Sequence, residues 1–191
     1  MKDTMVMLLF VLILGTVLTV SLVLVDSYTK PIIEKNETVK LKLNILKALD
    51  IPFTKENVEE IFGKSIKQAE KKGQVYYTSE TGNIAVLYSG SGLWGPISGV
   101  LAMQPDLQTI HGITVLYQEE TPGLGSRIAD KPFLDTFKAK RFIPALKLTA
   151  AGKGSQENEI DGISGATLSS NAFIKILNSR YTEFYSKVKG E

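Results

Sequence analysis

The chain has 191 residues, with 22 Lys and Arg against 20 Asp and Glu and a formal net charge of +2. That balance, without a basic stripe interleaved with aromatics, gives no footprint for nucleic acid. There is no cysteine and a single histidine, His111, which excludes disulfides, iron–sulfur or thiolate ligation and multi-histidine metal sites, and routes any Ser-His-Asp triad through one residue.

In chain order, the first element is an uncharged apolar run from Met5 to Val25. It is long enough to cross a hydrocarbon core of about 30 Å as a helix. The run exceeds a usual signal-peptide core, only Lys2 precedes it as a basic side chain, and no A-x-A site follows, so an uncleaved anchor over residues 1–25 is expected. Flanking charges are mixed on both sides, and the positive-inside rule is nearly silent. A short proline-containing connector, "DSYTKPIIEK", follows. A helix is then expected in "NETVKLKLNILKALDI", capped by Asn36 or Thr38. A shorter helix over "TKENVEEIFGKSIKQAEK" breaks near Gly63.

Next come "QVYYTS", "NIAVLYSG", "PISGVLAMQ" and "IHGITVLYQEE", short β-rich runs bounded by Gly, Pro, Asn and Asp. Their spacing predicts an antiparallel meander. "KPFLDTFKAK" reads as a short helix, "ALKLTAAGKG" as a strand or loop, and "GKGSQENEIDG" as a polar loop. From Ala166 or Thr167 a helix is expected to run towards Lys187, with Phe173, Ile174, Ile176, Leu177, Tyr181 and Phe184 on its apolar side. The fold class is α+β: an N-terminal transmembrane helix, then a single domain over 26–191 with a twisted, mainly antiparallel sheet and packed helices.

Three stretches carry possible chemistry. "DGISGATLSS" (161–170) gathers small and hydroxylated residues at a helix mouth, where unpaired N–H groups and the helix dipole favour an anion. The plainer alternative is that Ser164 or Thr167 caps the helix. No P-loop lysine follows, which argues against a nucleoside triphosphate. "SGSGLWGPISG" (89–99) sets four glycines around the only tryptophan, Trp94, which otherwise reads as core. "EETPGLGSRI" (119–128) contains a type II turn with Pro122 second and Gly123 third. Gly123 and Gly125 flank Leu124, so a backbone could press flat against a ligand there.

Taken in order, these stretches resemble the FMN-binding domain family. Its flavinylation signature, D-x-x-[ST]-G-A-T, stands here as Asp161, Gly162, Ile163, Ser164, Gly165, Ala166 and Thr167, and "GLWGP" and "ETPGLG" are similar to upstream segments of that family. With an N-terminal span, the chain resembles the covalent-flavin G subunit of Rnf ion-translocating ferredoxin:NAD oxidoreductase complexes. The related C subunit of sodium-translocating NADH:quinone oxidoreductases is the alternative, and the short chain looks more like the Rnf type.

The resemblance implies FMN attached covalently to Thr167 by a phosphodiester bond, with Asp161, Ser164, Gly165 and Ala166 as the rest of the attachment segment. It implies that Glu120, Thr121, Gly123, Leu124 and Gly125 line the isoalloxazine, with Trp94 and Ile163 as neighbours. A threonine hydroxyl needs a base or metal to become nucleophilic, which fits attachment by a separate flavin transferase. The implied role is an electron relay within a membrane complex, whose other proteins are the partners. The chain would be single-pass in the cytoplasmic membrane, with its FMN domain on the extracytoplasmic side. No dinucleotide fingerprint is present, so NADH is expected to bind elsewhere. No metal site and no catalytic group acting alone are expected. Two further classes remain: a stand-alone membrane-anchored flavin reductase, and an assembly protein in which the SGAT segment is only a cap. A flavin spectrum and the mass of the denatured chain separate them.

Overall fold

The computed structural model describes residues 2–189; Met1 of the expected anchor and residues 190–191 of the expected domain lie outside it. It divides into two compact units, the first ending at Val39 and the second beginning at Lys40.

The described residues of the first unit are helical throughout. They belong to α1, Lys2–Ala48, a helix long and apolar enough to cross a membrane. Every apolar side chain from Met5 to Val25 is exposed, so no protein core of its own holds this segment. The expected connector is not a break. Pro31 lies inside α1, at the cost of one backbone hydrogen bond. Asn36 and Thr38 cap nothing; the Thr38 hydroxyl donates back to the Glu34 carbonyl at 2.9 Å within the helix.

The second unit starts with the last turns of α1. That helix ends in a Schellman motif: the Ile51 N–H reaches the Leu46 carbonyl at 3.0 Å and the Asp50 N–H the Lys47 carbonyl at 3.1 Å, with Asp50 at φ +52°. The second helix, α2, is short, Val58–Ser65. The rest of the expected helix is strand β1, Ile66–Lys71. The reason is Lys72-Gly73, both at positive φ, which form a two-residue hairpin turn returning the chain into β2, Gln74–Ser79, with Lys71 opposite Gln74.

Strands β3 (Ile84–Ser91), β4 (Pro96–Met103) and β5 (Ile110–Tyr117) complete a five-stranded antiparallel sheet in sequence order. Alternation along β4 sends Ile97, Leu101 and Met103 into one core cluster and Val100 and Ala102 into another. The first cluster lies under the C-terminal helix and includes Phe173, Leu177 and Phe184. The second includes Ile45, Leu46 and Ala48 of α1 and Val58 of α2. The sheet is therefore covered on both faces, which is why β4 is almost wholly buried. At Gly112 the Ala48 carbonyl of α1 comes so close that a Cβ would collide with it.

After β5 come a 3-10 turn, Gly125–Ala129, and α3, Lys131–Asp135. Two three-residue strands, β6 (Lys147–Thr149) and β7 (Glu159–Asp161), pair in parallel; the second lies in the stretch expected to be loop. The final helix, α4, runs Thr167–Lys189.

Candidate functional site

Three backbone corners converge on the first turn of α4. The first is the hairpin loop between β3 and β4, closed by the Gly92 N–H on the Gly95 carbonyl at 2.8 Å. The second follows β5. There the Leu124 N–H reaches the Thr121 carbonyl at 3.2 Å with Gly123 at φ +74°, the type II turn expected from Thr-Pro-Gly. The third precedes α4: the Ala166 N–H bonds the Ile163 carbonyl at 2.9 Å, with Gly165 at φ +81°. The Arg127 guanidinium donates to the Ser164 carbonyl at 3.4 Å, joining the second corner to the third.

Between them lies a cleft of about 430 Å³, whose wall includes Leu93, Trp94, Thr121, Leu124, Gly165 and Thr167. Its rim is apolar and open, with Trp94 72% and Leu168 64% exposed. A second cleft, about 420 Å³, lies on the other side of Thr167, against Ile163, Ser164, Asn171 and the Leu148–Ala151 segment. Thr167 thus borders both. It is exposed. Among the described residues neither its hydroxyl nor that of Ser164 makes a hydrogen bond, so the helix has no side-chain cap there and its first N–H groups stay open to a ligand.

Gly125 and Ala166 also line the first cleft. Gly123 is exposed at the turn and contributes to neither wall. Asp161 faces the 149–154 loop: its carboxylate accepts from the Gly154 N–H at 2.8 Å, the Lys153 N–H at 3.1 Å and the Thr149 hydroxyl at 3.2 Å. The Gly154 N–H above all, then these others, holds its carboxyl below the ordinary 3.8. Asp161 thereby shapes the loop that walls the second cleft.

Glu120 is buried, 3% exposed, and does not line the first cleft. It stands behind the wall. One carboxylate oxygen accepts from the Leu93 N–H at 2.7 Å and the Trp94 N–H at 3.3 Å. The other accepts from the Ser169 hydroxyl at 2.6 Å.

Leu93, Leu168 and Ser169 belong to the first cleft and were missed in the sequence. Leu168 carried a usable signal: it is a leucine off the apolar stripe that begins at Phe173. The arrangement suits a planar, partly apolar group carrying an anion. Small residues leave backbone open at the helix mouth, apolar side chains flank a flat slot, and a free hydroxyl stands between.

Residues 92–182 match the model of the FMN-binding domain family. The chain is 36% identical over 115 residues to the C subunit of the Na(+)-translocating NADH-quinone reductase of Haemophilus ducreyi, an overlap of 56% of this chain and 45% of that protein. It is 37% identical over 114 residues to the same protein of Neisseria meningitidis, covering 55% and 44%. The matched region is therefore less than half the length of these relatives. Among solved structures, Shewanella oneidensis NqrC superposes with a TM-score of 0.67 at 20% identity, over 80% of this chain and 97% of that one. The C subunit of the Na(+)-translocating NADH-quinone reductase from Parabacteroides distasonis gives 0.70 at 22% identity, over 83% and 96%. Over residues 92–182 the resemblance to the FMN-binding domain family holds in sequence, and over four-fifths of the chain the fold is that of the Shewanella oneidensis structure.

Proposed function

We propose that this chain is an electron-transfer component of a membrane-bound, ion-translocating oxidoreductase, and that it carries FMN esterified through its phosphate to Thr167. The observation that carries this reading is Thr167 itself: an exposed, unbonded hydroxyl at an uncapped helix N-terminus, bordered by two clefts. The open N–H groups and the positive end of the α4 dipole stabilise a phosphate there. Leu93, Trp94, Leu124 and Leu168 offer apolar surface to the ring system and keep water from one side of it. Bound FMN supplies the one- and two-electron chemistry that no side chain of this protein can.

The exposure of Thr167 also fits its attachment by a separate transferase, because among the described residues no group hydrogen-bonded to its hydroxyl would act as a base. A covalent bond keeps the flavin on the protein in every redox state. The apolar α1 anchors the domain at the membrane, and the resemblance to the Rnf-type protein supports an extracytoplasmic domain.

Two host complexes are in play. The signature segments and span resemble the Rnf-type protein, whereas the named relatives are C subunits of sodium-translocating NADH-quinone reductases. Membranes from a strain lacking this chain decide between them: loss of ferredoxin:NAD activity supports the first, loss of NADH:quinone activity the second. The cofactor reading is tested on the full chain co-expressed with a flavin transferase. Its denatured mass is expected to rise by FMN less one water, and an unmodified mass would refute the attachment.

A further inference from the structure

Glu120 is nearly inaccessible and has three donors on its two oxygens: the Leu93 and Trp94 N–H groups and the Ser169 hydroxyl. Its surroundings are cleared for it by glycine. A Cβ on Gly125 would lie 2.5 Å from the Ser169 hydroxyl and 2.9 Å from a Glu120 oxygen, and one on Gly92 would collide with the other oxygen. Among the described residues no Lys, Arg or His pairs with it. A buried carboxylate is costly unless its lone pairs are satisfied, and here all three donors come from the elements that form the first cleft. Leu93, Trp94 and Ser169 each line that cleft directly.

We infer that Glu120 is the positioning residue of the flavin cleft: it pins the Gly92–Gly95 loop to the first turn of α4, and it sets an unpaired negative charge behind the cleft wall that lowers the reduction potential of a flavin seated there. The inference rests on the flavin reading above. Reduction adds electrons, and with them negative charge, to the ring. A fixed negative charge behind the wall, on a carboxylate that is itself shielded from water, opposes that addition. The pin and the charge are separable. Glutamine keeps the volume and both links, since its amide oxygen accepts from Leu93 and Trp94 while its NH2 donates to Ser169, but it removes the charge.

The test uses the full chain in detergent, with Trp94, the only tryptophan, as reporter of the loop. In flavin-free protein, Glu120→Ala is expected to lower the Trp94 fluorescence anisotropy, Ser169→Ala to give an intermediate value, and Glu120→Gln to match the wild type. In flavinylated protein, Glu120→Gln is expected to shift the FMN midpoint to a more positive potential. Wild-type anisotropy in Ser169→Ala, or in a folded Glu120→Ala, would overturn the pin, and an unmoved midpoint in Glu120→Gln would overturn the charge. If Glu120→Ala does not fold, Ser169→Ala decides the pin alone, because it removes a single hydroxyl. The anisotropy arm is read without flavin, so a chain that takes up no FMN refutes the proposed function while leaving the pin decided.

Discussion

Replacing Thr167 by alanine separates attachment from architecture. A helix-capping hydroxyl, when lost, costs about 0.5–2 kcal/mol. Among the described residues the Thr167 hydroxyl makes no hydrogen bond, so that cost is absent. What remains is a small propensity difference at the end of a helix, where alanine is the better helix former by well under 1 kcal/mol. The net change in stability is expected to fall within about 0.5 kcal/mol. For a domain of this size that moves Tm by less than about 2 °C. Melting is to be compared on protein made without the transferase, because a bound flavin stabilises the folded state by itself. Flavin fluorescence on a denaturing gel should vanish in Thr167→Ala and persist in part in Thr167→Ser, which keeps a hydroxyl. A labelled Thr167→Ala protein would refute the assignment. A loss above about 1 kcal/mol would show that the hydroxyl is structural, returning the cap reading to the front.

Three other outcomes are expected. Gly112→Ala should destabilise the domain by about 1–3 kcal/mol in chemical denaturation, since its Cβ meets the backbone carbonyl of Ala48 and neither can yield cheaply. Asp161, its carboxyl held below 3.8 first by the Gly154 N–H, contributes stability above its unfolded pKa of about 4 and loses it as pH falls through the lower folded value; the Tm gap between wild type and Asp161→Asn should therefore be flat near neutral pH and close below about pH 4, and a gap that widened on acidification would contradict the geometry. Finally, Ser155 is exposed and the chain has no cysteine, so Ser155→Cys should react with a membrane-impermeant thiol reagent in intact cells and be shielded in inside-out vesicles; the reverse pattern would place the domain in the cytoplasm.

The sequence was most legible where local chemistry forces the backbone. The β2–β5 runs are rich in strand formers and bounded by turn formers, and Thr121-Pro122-Gly123-Leu124 closes as the type II turn its residues require. It was least legible where a distant partner decides. Ile66 to Lys71 has the spacing of a helix continuing from α2, but Lys72-Gly73 folds it back onto β2. Glu159 to Asp161 carries one buried apolar residue, Ile160, and becomes a strand only through parallel pairing with β6. Pro31 reads as a breaker, yet one missing donor does not end a long helix. Glu120 sat in a segment that resembles a flavin-lining one, and nothing local showed that its side chain turns inward. That follows from two remote facts, the N–H groups of Leu93 and Trp94 and the hydroxyl of Ser169.

The hydroxyl-rich mouth of α4 then has a physical explanation that does not involve capping. Among the described residues the exposed hydroxyls of Ser164 and Thr167 make no hydrogen bond, the Ser169 hydroxyl donates to Glu120, and the buried Ser170 hydroxyl has no partner. A helix with an open N-terminus forgoes about 1 kcal/mol. α4 is held instead by its middle and end, where Phe173, Leu177 and Phe184 are fully buried, each contributing about 1.5–3 kcal/mol. Burial along the helix therefore outweighs the missing cap several-fold. The first turn is left free of structural duty on its outer side, while Ser169, one residue beyond Leu168, ties its inner side to Glu120. An N-terminus that is fixed in position yet chemically unsatisfied suits the proposed phosphate attachment: the donors are already ordered, and no protein group would have to be displaced by an arriving anion.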